Sequence, residues 1–275
     1  MPLPRLPHPR AGARLVLAAL AAAVGCAAPP PAGTPAPAVD SAVVRTPRDL
    51  VTRMRERWNA RYFRTLTFRQ KNTLYRQGGA EEPSEWLEYQ TVPRRLRIEF
   101  LPADTRSGLL FRDNRSYSFQ NGRMVGERPQ IHPLLLLGSD VYALPVDTTM
   151  AELASLRFDT TLVRADTLDG RRAWVVGAAP GDTVASHFWV DADRLVLLRV
   201  VQRQPAGQGR TALSDTRFTE YQEVDGVLVP KVILFLRDGR ANWREEYTEV
   251  RLNAPLDSAL FDPARWSATS GATAP

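Results

Sequence analysis

From Thr46 onward the hydrophobic period of the chain changes several times, and each change marks a change of element. In TPRDLVTRMRERWNARY, Leu50, Met54 and Trp58 recur every fourth residue with arginines between them. That spacing predicts one amphipathic helix, which Thr46 can cap and Pro47 and Asp49 can start. The period then falls to two: Leu66 and Phe68 begin a strand, Trp86 to Thr91 form another, and Leu96-Arg97-Ile98-Glu99-Phe100 alternates cleanly. As far as Val125 the pattern gives two or three short strands joined at Asp113-Asn114 and Asn121-Gly122.

Between Ile131 and Leu156 the alternation stops, and HPLLLLGSDVYALPVDTTMAELASL predicts two short helices broken at Pro145. Strands resume over Asp159 to Asp166, Ala173 to Ala178, Ser186 to Asp191, Leu195 to Gln204, Ala212 to Val224, Val227 to Arg237 and Asn242 to Asn253. Several meet at Asp169-Gly170, Asp225-Gly226 and Asp238-Gly239. The expected fold is mainly β (α+β): a single antiparallel sheet of about ten or eleven strands, long enough that it must curl, with an N-terminal helix and a helical segment in its middle. A curled sheet has a concave face to fill, and residues 131–156 are the candidate. They are either a static core or a lid that lipid displaces, and the pattern leaves both open.

Ahead of the helix, Arg5, Arg10 and Arg14 precede the apolar run Leu15 to Val24, which is too short to span a bilayer. Ala23-Val24-Gly25-Cys26 follows and resembles a bacterial lipobox, which makes Cys26, the only cysteine, the expected site of lipid attachment. The expected organisation is a signal peptide over 1–25, a Pro/Ala-rich tether over 26–45, a folded domain over 46–266 and an unstructured tail over 267–275. Ala27, rather than aspartate, follows Cys26, favouring the outer membrane facing the periplasm. With one cysteine the domain has no internal disulfide and must rest on a packed core.

The formal charge of +6 includes the three signal arginines, so the body carries about +3. Its only lysines are Lys71 and Lys231, and its arginines are scattered among carboxylates, which argues against a nucleic-acid partner. Beyond the signal the histidines are His132, before a proline, and His187 in HFWVD, with no paired spacing for a metal. Asp191 and Asp193 lack the further oxygens of a calcium loop. Glu245, Glu246 and Glu249 alternate with Arg244 and Arg251 and suggest cross-strand charge pairing. No nucleophile motif or phosphate loop is present, so no catalytic residue, metal or cofactor is expected.

The order of elements, with Phe68-Arg69-Gln70-Lys71, then Val92 to Phe100, then Phe111-Arg112-Asp113-Asn114-Arg115-Ser116-Tyr117-Ser118-Phe119, resembles the LolA/LolB family of lipoprotein carriers. Phe188-Trp189-Val190-Asp191, Val224 to Pro230 and Asn253 to Phe261 are similar to later parts of outer-membrane lipoprotein-sorting proteins. The resemblance covers about Thr46 to Asp262. It implies an open barrel whose concave side accepts acyl chains beneath a helical lid, and a lipid-anchored member like LolB. Val92 stands where LolA has the arginine that latches the lid, so that latch does not carry over.

The expected function is therefore an anchored carrier or acceptor of acyl chains, with Leu134, Leu135, Leu137, Val141, Tyr142 and Leu144 as lid and Trp58, Phe68, Ile98 and Phe100 as lining. Leu136 or Leu137 to glutamate is expected to weaken lipid uptake without unfolding the domain. The alternative is a non-catalytic envelope sensor or scaffold that binds a protein partner through the same fold. An enzyme would need a catalytic constellation that the sequence lacks.

Overall fold

The structure, a computed structural model, describes residues 44–269 apart from Gln77 and Gln208. The signal segment, Cys26 and most of the tether lie outside the described residues, and those described belong to one compact unit, Ala38–Pro275.

Helix α1 (Pro47–Trp58) starts as its sequence dictates: the Thr46 side chain accepts from the Asp49 N–H at 3.1 Å, while the Asp49 carboxylate accepts from the Thr46 N–H at 2.9 Å. Its Leu50, Val51, Met54 and Trp58 are buried.

Strands β1 (Thr65–Tyr75), β2 (Glu81–Thr91), β3 (Arg95–Phe100), β4 (Gly108–Arg112), β5 (Arg115–Gln120) and β6 (Arg123–Pro129) form a meander. After the helical segment come β7 (Val163–Leu168), β8 (Arg171–Val176), β9 (His187–Asp191), β10 (Leu197–Pro205), β11 (Thr211–Val224), β12 (Val227–Arg237) and β13 (Arg240–Leu252). All thirteen make one antiparallel sheet in the order β6-β5-β4-β3-β2-β1-β13-β12-β11-β10-β9-β8-β7, curled but with both edges unpaired.

Five hairpins turn on residue pairs with positive φ at both positions: Asp113-Asn114, Asn121-Gly122, Asp169-Gly170, Asp225-Gly226 and Asp238-Gly239. This is the type I′ geometry that these residue types favour.

Thirteen strands exceed the ten or eleven expected, and the turns at Asp113-Asn114 and Asn121-Gly122 separate three of them in the stretch where the pattern gives two or three. All seven residues of β6 are exposed, so it carries no alternation. β7 begins later than expected because Asp159 is occupied by a local turn, accepting from the Thr161 N–H and hydroxyl at 2.8 and 2.6 Å.

The chain leaves one edge of the sheet at Pro129 and rejoins the other at Val163. The connection therefore has to cross between the edges, and it does so over the concave face. It contains α2 (Pro133–Gly138), a 3-10 turn (Asp140–Tyr142) and α3 (Val146–Ser155). With α1 these pack on Val176, Phe188, Val190, Val200, Phe218 and Ile233, filling the half of the concavity formed by β8–β12.

The opposite face of β3–β5 is covered by the chain after β13: Leu260, Phe261 and Trp266 pack on Leu110, Tyr117 and Phe119. There Arg97, 2 % exposed, pairs with Glu99 at 2.6 Å, lies 3.9 Å over the Trp266 ring, and donates to the carbonyls of Leu260, Trp266 and Thr269. This second cover explains why β3 is buried on both faces.

Candidate functional site

The other half of the concave face, over β1–β4 and β12–β13, is not filled. Between it and α2 lies a cavity of about 240 Å³. Its walls are mostly apolar: Phe68 stacks on Tyr247 at 4.0 Å between ring centres, Ile98 and Phe111 face Leu135, and Trp86 lies 5.2 Å from Trp243. Strand alternation produces this surface, because residues two apart on each strand share the inward side.

The same parity brings polar groups inside. Gln70 follows Leu66 and Phe68 on β1, Glu88 lies between Trp86 and Gln90 on β2, and Glu245 lies between Trp243 and Tyr247 on β13; all three polar residues line the cavity. Burial raises the Glu88 carboxyl well above the ordinary value of 4.5, and the neighbouring Glu245 raises it further. Glu245 is deep in the fold but open to the cavity; burial pushes its carboxyl up to about 8, against the opposing effect of hydrogen bonds from Trp243, Gln70 and Tyr247. Glu245 thus takes no part in the cross-strand ion pairing that its sequence neighbours suggested. Glu246 pairs with Arg244 at 3.0 Å on the opposite parity, and Glu249, at a positive-φ position where the β1–β13 register shifts, pairs with Arg69 at 3.2 Å.

At the start of α2, His132 accepts from the Leu135 N–H at 3.2 Å and meets Phe111 edge-on at 4.6 Å. Burial lowers its pKa to about 4, so the ring is neutral near pH 7. His132, Leu134 and Phe235 also border a second, more polar cleft of about 400 Å³ lined by Gln202, Gln204, Ser214 and Thr216. The first turn of α2 therefore separates a mostly apolar cavity from a more polar cleft.

The rest of the helical segment is fastened to the sheet. Gln90 donates to Ser139 Oγ at 2.6 Å, the Arg94 N–H donates to Asp140 at 3.1 Å, and Glu152 of α3 accepts from Asn114 at 2.6 Å and pairs with the Arg94 guanidinium. Although Val92 stands at the expected latch position, Arg94 two residues later ties the helices down. Burial pushes the Asp140 carboxyl up to about 7.

The expected site residues divide into two groups. Leu134, Leu135, Phe68 and Ile98 line the cavity. Phe100 shares their face, packing on Trp86 at 5.1 Å just beyond the lining. Leu137, Val141, Tyr142, Leu144 and Trp58 are instead packed in the core against β8–β12, with Tyr142 and Trp58 bonded to the carbonyls of Leu195 and Arg194. Leu136 and Leu137 are 1 % and 0 % exposed, so a glutamate there would disrupt the core rather than probe a lid. The lining residues Tyr62, Gln70, Trp86, Glu88, Phe235, Glu245 and Tyr247 were missed, although the two-residue parity of β1, β2 and β13 contained the signal. Cys26 lies outside the described residues.

His187 is buried with its Nδ1 2.7 Å from the Ala185 carbonyl, and Asp191 accepts from the N–H groups of Asp193 and Arg194 within its own turn. No cluster of three or more metal-ligating side chains occurs among the described residues, and no helix among them is long and apolar enough to cross a membrane.

No family model matches the sequence, and no curated protein matches it. Solved structures do. A DUF1329 family protein from Desulfovibrio piger matches with TM-score 0.56 at 15% identity, over 80% of this chain and 97% of that one. An outer-membrane lipoprotein-sorting protein domain from Vibrio parahaemolyticus matches at 0.53 and 10% identity, over 80% and 97%. A LolA superfamily protein from Nitrosomonas europaea matches at 0.50 and 14% identity, over 77% and 97%. At these identities the likeness establishes the fold: an open, curled antiparallel sheet of the LolA type.

Proposed function

We propose that this domain is a non-catalytic carrier or acceptor that shields acyl chains, of a lipid or of a lipoprotein's lipid moiety, in the cavity between α2 and the concave face of β1–β4 and β12–β13. The observation that carries the reading is the cavity itself, an apolar hollow left where the helices fill only half of a curled sheet. Each methylene moved into such a space from water gains about 0.8 kcal/mol, so ten methylenes supply micromolar binding without any catalytic group. The fold shared with a lipoprotein-sorting domain supports it.

In this reading the signal of residues 1–25 is removed, Cys26 carries the lipid anchor, residues 26–45 tether the domain of 46–266, and the protein faces the periplasm from the outer membrane. Access runs past His132 and Leu134, where the apolar cavity and the more polar cleft meet, while Arg94, Asp140 and Glu152 hold the remainder of the helical segment. Purifying the protein from a bacterial envelope, extracting it with organic solvent and weighing the extract by mass spectrometry tests the proposal. Stoichiometric acyl lipid is expected; an empty, stable protein that takes up no added lipid would refute it.

The sensor or scaffold reading draws on a different feature, the unpaired edge β6, whose exposed residues include Met124 at 46% and Val125 at 62%. An exposed edge can accept a partner's strand. A partner captured through β6 with no lipid in the cavity would favour it.

A further inference from the structure

Resting on the carrier reading, we propose that the cavity selects chains ending in a primary amine, with the ammonium held between Glu88 and Glu245 on the cavity floor. The two carboxyls flank β1: Glu88 lies opposite Phe68 and Glu245 opposite Asn72, with Gln70 between those positions. An apolar compartment gains nothing from two acids unless they meet a complementary group, because each carboxyl must be either neutralised or paired.

No protein cation supplies that complement. Neither lysine nor arginine lines the cavity, and the one charge that shifts the Glu88 carboxyl is that of Glu245, which raises it. A second feature marks unfinished hydrogen bonding at the same place. Asn72, 2 % exposed, accepts from Gln70 Nε2 at 2.7 Å, yet its own Nδ2 has no partner.

An ammonium offers three donors and one positive charge, which suits two carboxylates together with the Gln70 side-chain oxygen. The aromatic rings of Trp86, Phe68 and Tyr247 around them add attraction for a cation. A carboxylate-terminated chain would meet two acids and be repelled, and an alcohol would lack the charge.

The groups facing the pair from the surrounding elements are few. Tyr62 after α1 and Tyr247 on β13 are held neutral by burial, and His132 before α2 stays uncharged above about pH 4. β1, β3, β4 and β12 contribute no ionisable side chain to the lining, and Asp140 lies behind α2, outside it. Glu245, with its carboxyl pushed up to about 8, is therefore the group in the cavity with a midpoint between about pH 5 and 9, and burial raises Glu88 in the same direction. Loading an ammonium expels their protons to solvent, so amine affinity rises with pH in that window.

The test uses the full chain carrying Cys26→Ser, so that no anchor competes for the cavity. Dodecylamine, dodecanol and dodecanoate are titrated below their micellar concentrations, with Trp86 and Trp243 fluorescence as readout. At pH 8 the amine is expected to bind at least roughly tenfold more tightly than the alcohol, with the acid weakest. The preference should shrink towards pH 5.

Glu88→Gln with Glu245→Gln should abolish the preference, bringing the amine and alcohol affinities within about twofold of each other. Equal affinities for amine and alcohol, tighter binding of the acid, or a preference that survives the double substitution would overturn the inference and leave the carrier reading intact. Failure of all three chains to bind would overturn both. The pH series on the otherwise unaltered chain decides the matter even if the double variant does not fold.

Discussion

Raising the pH from 6.5 to 9 should destabilise the ligand-free domain, in the range where many proteins are near their most stable. Glu245, with a folded-state pKa of about 8 against an ordinary 4.5, binds its proton more tightly when folded. Its stabilisation is complete below the unfolded value and is lost as the pH rises through the folded one. Glu88 is raised in the same direction, and Asp140, at about 7, follows the same rule. His132 has the opposite sign: its pKa is lowered from 6.5 to about 4, so its contribution is complete above 6.5 and lost on acidification. Above pH 6.5 the histidine is therefore silent, and the raised acids set the slope.

A fully coupled proton changes stability by about 1.4 kcal/mol per pH unit. Glu245 then contributes a loss of roughly 2 kcal/mol between 6.5 and its midpoint, and Asp140 less than about 1. The opening of Glu245 to the cavity reduces the sum to roughly 2 kcal/mol. Urea unfolding at pH 6.5, 7.5, 8.5 and 9 measures this directly, and Glu245→Gln should flatten most of the slope. A wild-type stability that is level or rises over this window would refute the buried-acid reasoning, as would a slope unchanged in the variant.

Other consequences separate lid from core. Leu134→Glu, at the cavity mouth, should weaken dodecanol binding at least roughly tenfold at a stability cost under about 1 kcal/mol, whereas Leu137→Glu, in the packed core, should cost over about 4 kcal/mol and unfold the domain in a melting experiment. Arg94→Ala removes the ion pair to Glu152 and should raise hydrogen exchange across α3 while exchange in β10–β12 is unchanged. Arg97→Ala removes the buried guanidinium that pairs with Glu99 and donates to the carbonyls of Leu260, Trp266 and Thr269, and should lower the urea stability by about 3 to 5 kcal/mol, with protection lost first over 258–269. A brominated acyl chain should quench tryptophan emission in the wild type and much less in Trp86→Phe combined with Trp243→Phe, because Trp86 lines the cavity and Trp243 packs against it at 5.2 Å.

The sheet was legible because its signals are local. Asp-Gly and Asn-Gly pairs specify the I′ turns, and alternation specifies which strands run between them. The sequence reading of β6 stops at Val125, short of Pro129, because a wholly exposed strand has no alternation to follow. The cavity's acids escaped for a different reason. A charged residue in a strand was taken to mark the solvent side, so Glu245 was grouped with Glu246, although Trp243 and Tyr247 share its parity and Arg244 shares that of Glu246. Large aromatic residues, rather than charge, decided the face.

The four leucines of α2 show why lid and core could not be separated by composition. Successive residues of a helix point about 100° apart, so Leu134 to Leu137 cannot all face one compartment. Leu134 and Leu135 line the cavity, while Leu136 and Leu137 are sealed against α1 and the Asp140–Tyr142 turn side of the core. Lifting α2 bodily would expose both inner leucines, at about 1.5 to 3 kcal/mol each, and would also break the Gln90–Ser139 and Arg94–Asp140 bonds. The sum approaches the stability of an ordinary domain. A chain entering by rearrangement of His132 and Leu134 alone meets neither cost. In the carrier reading the first turn of α2 is therefore the less costly entrance for a chain, and the remainder of the helical segment stays in place.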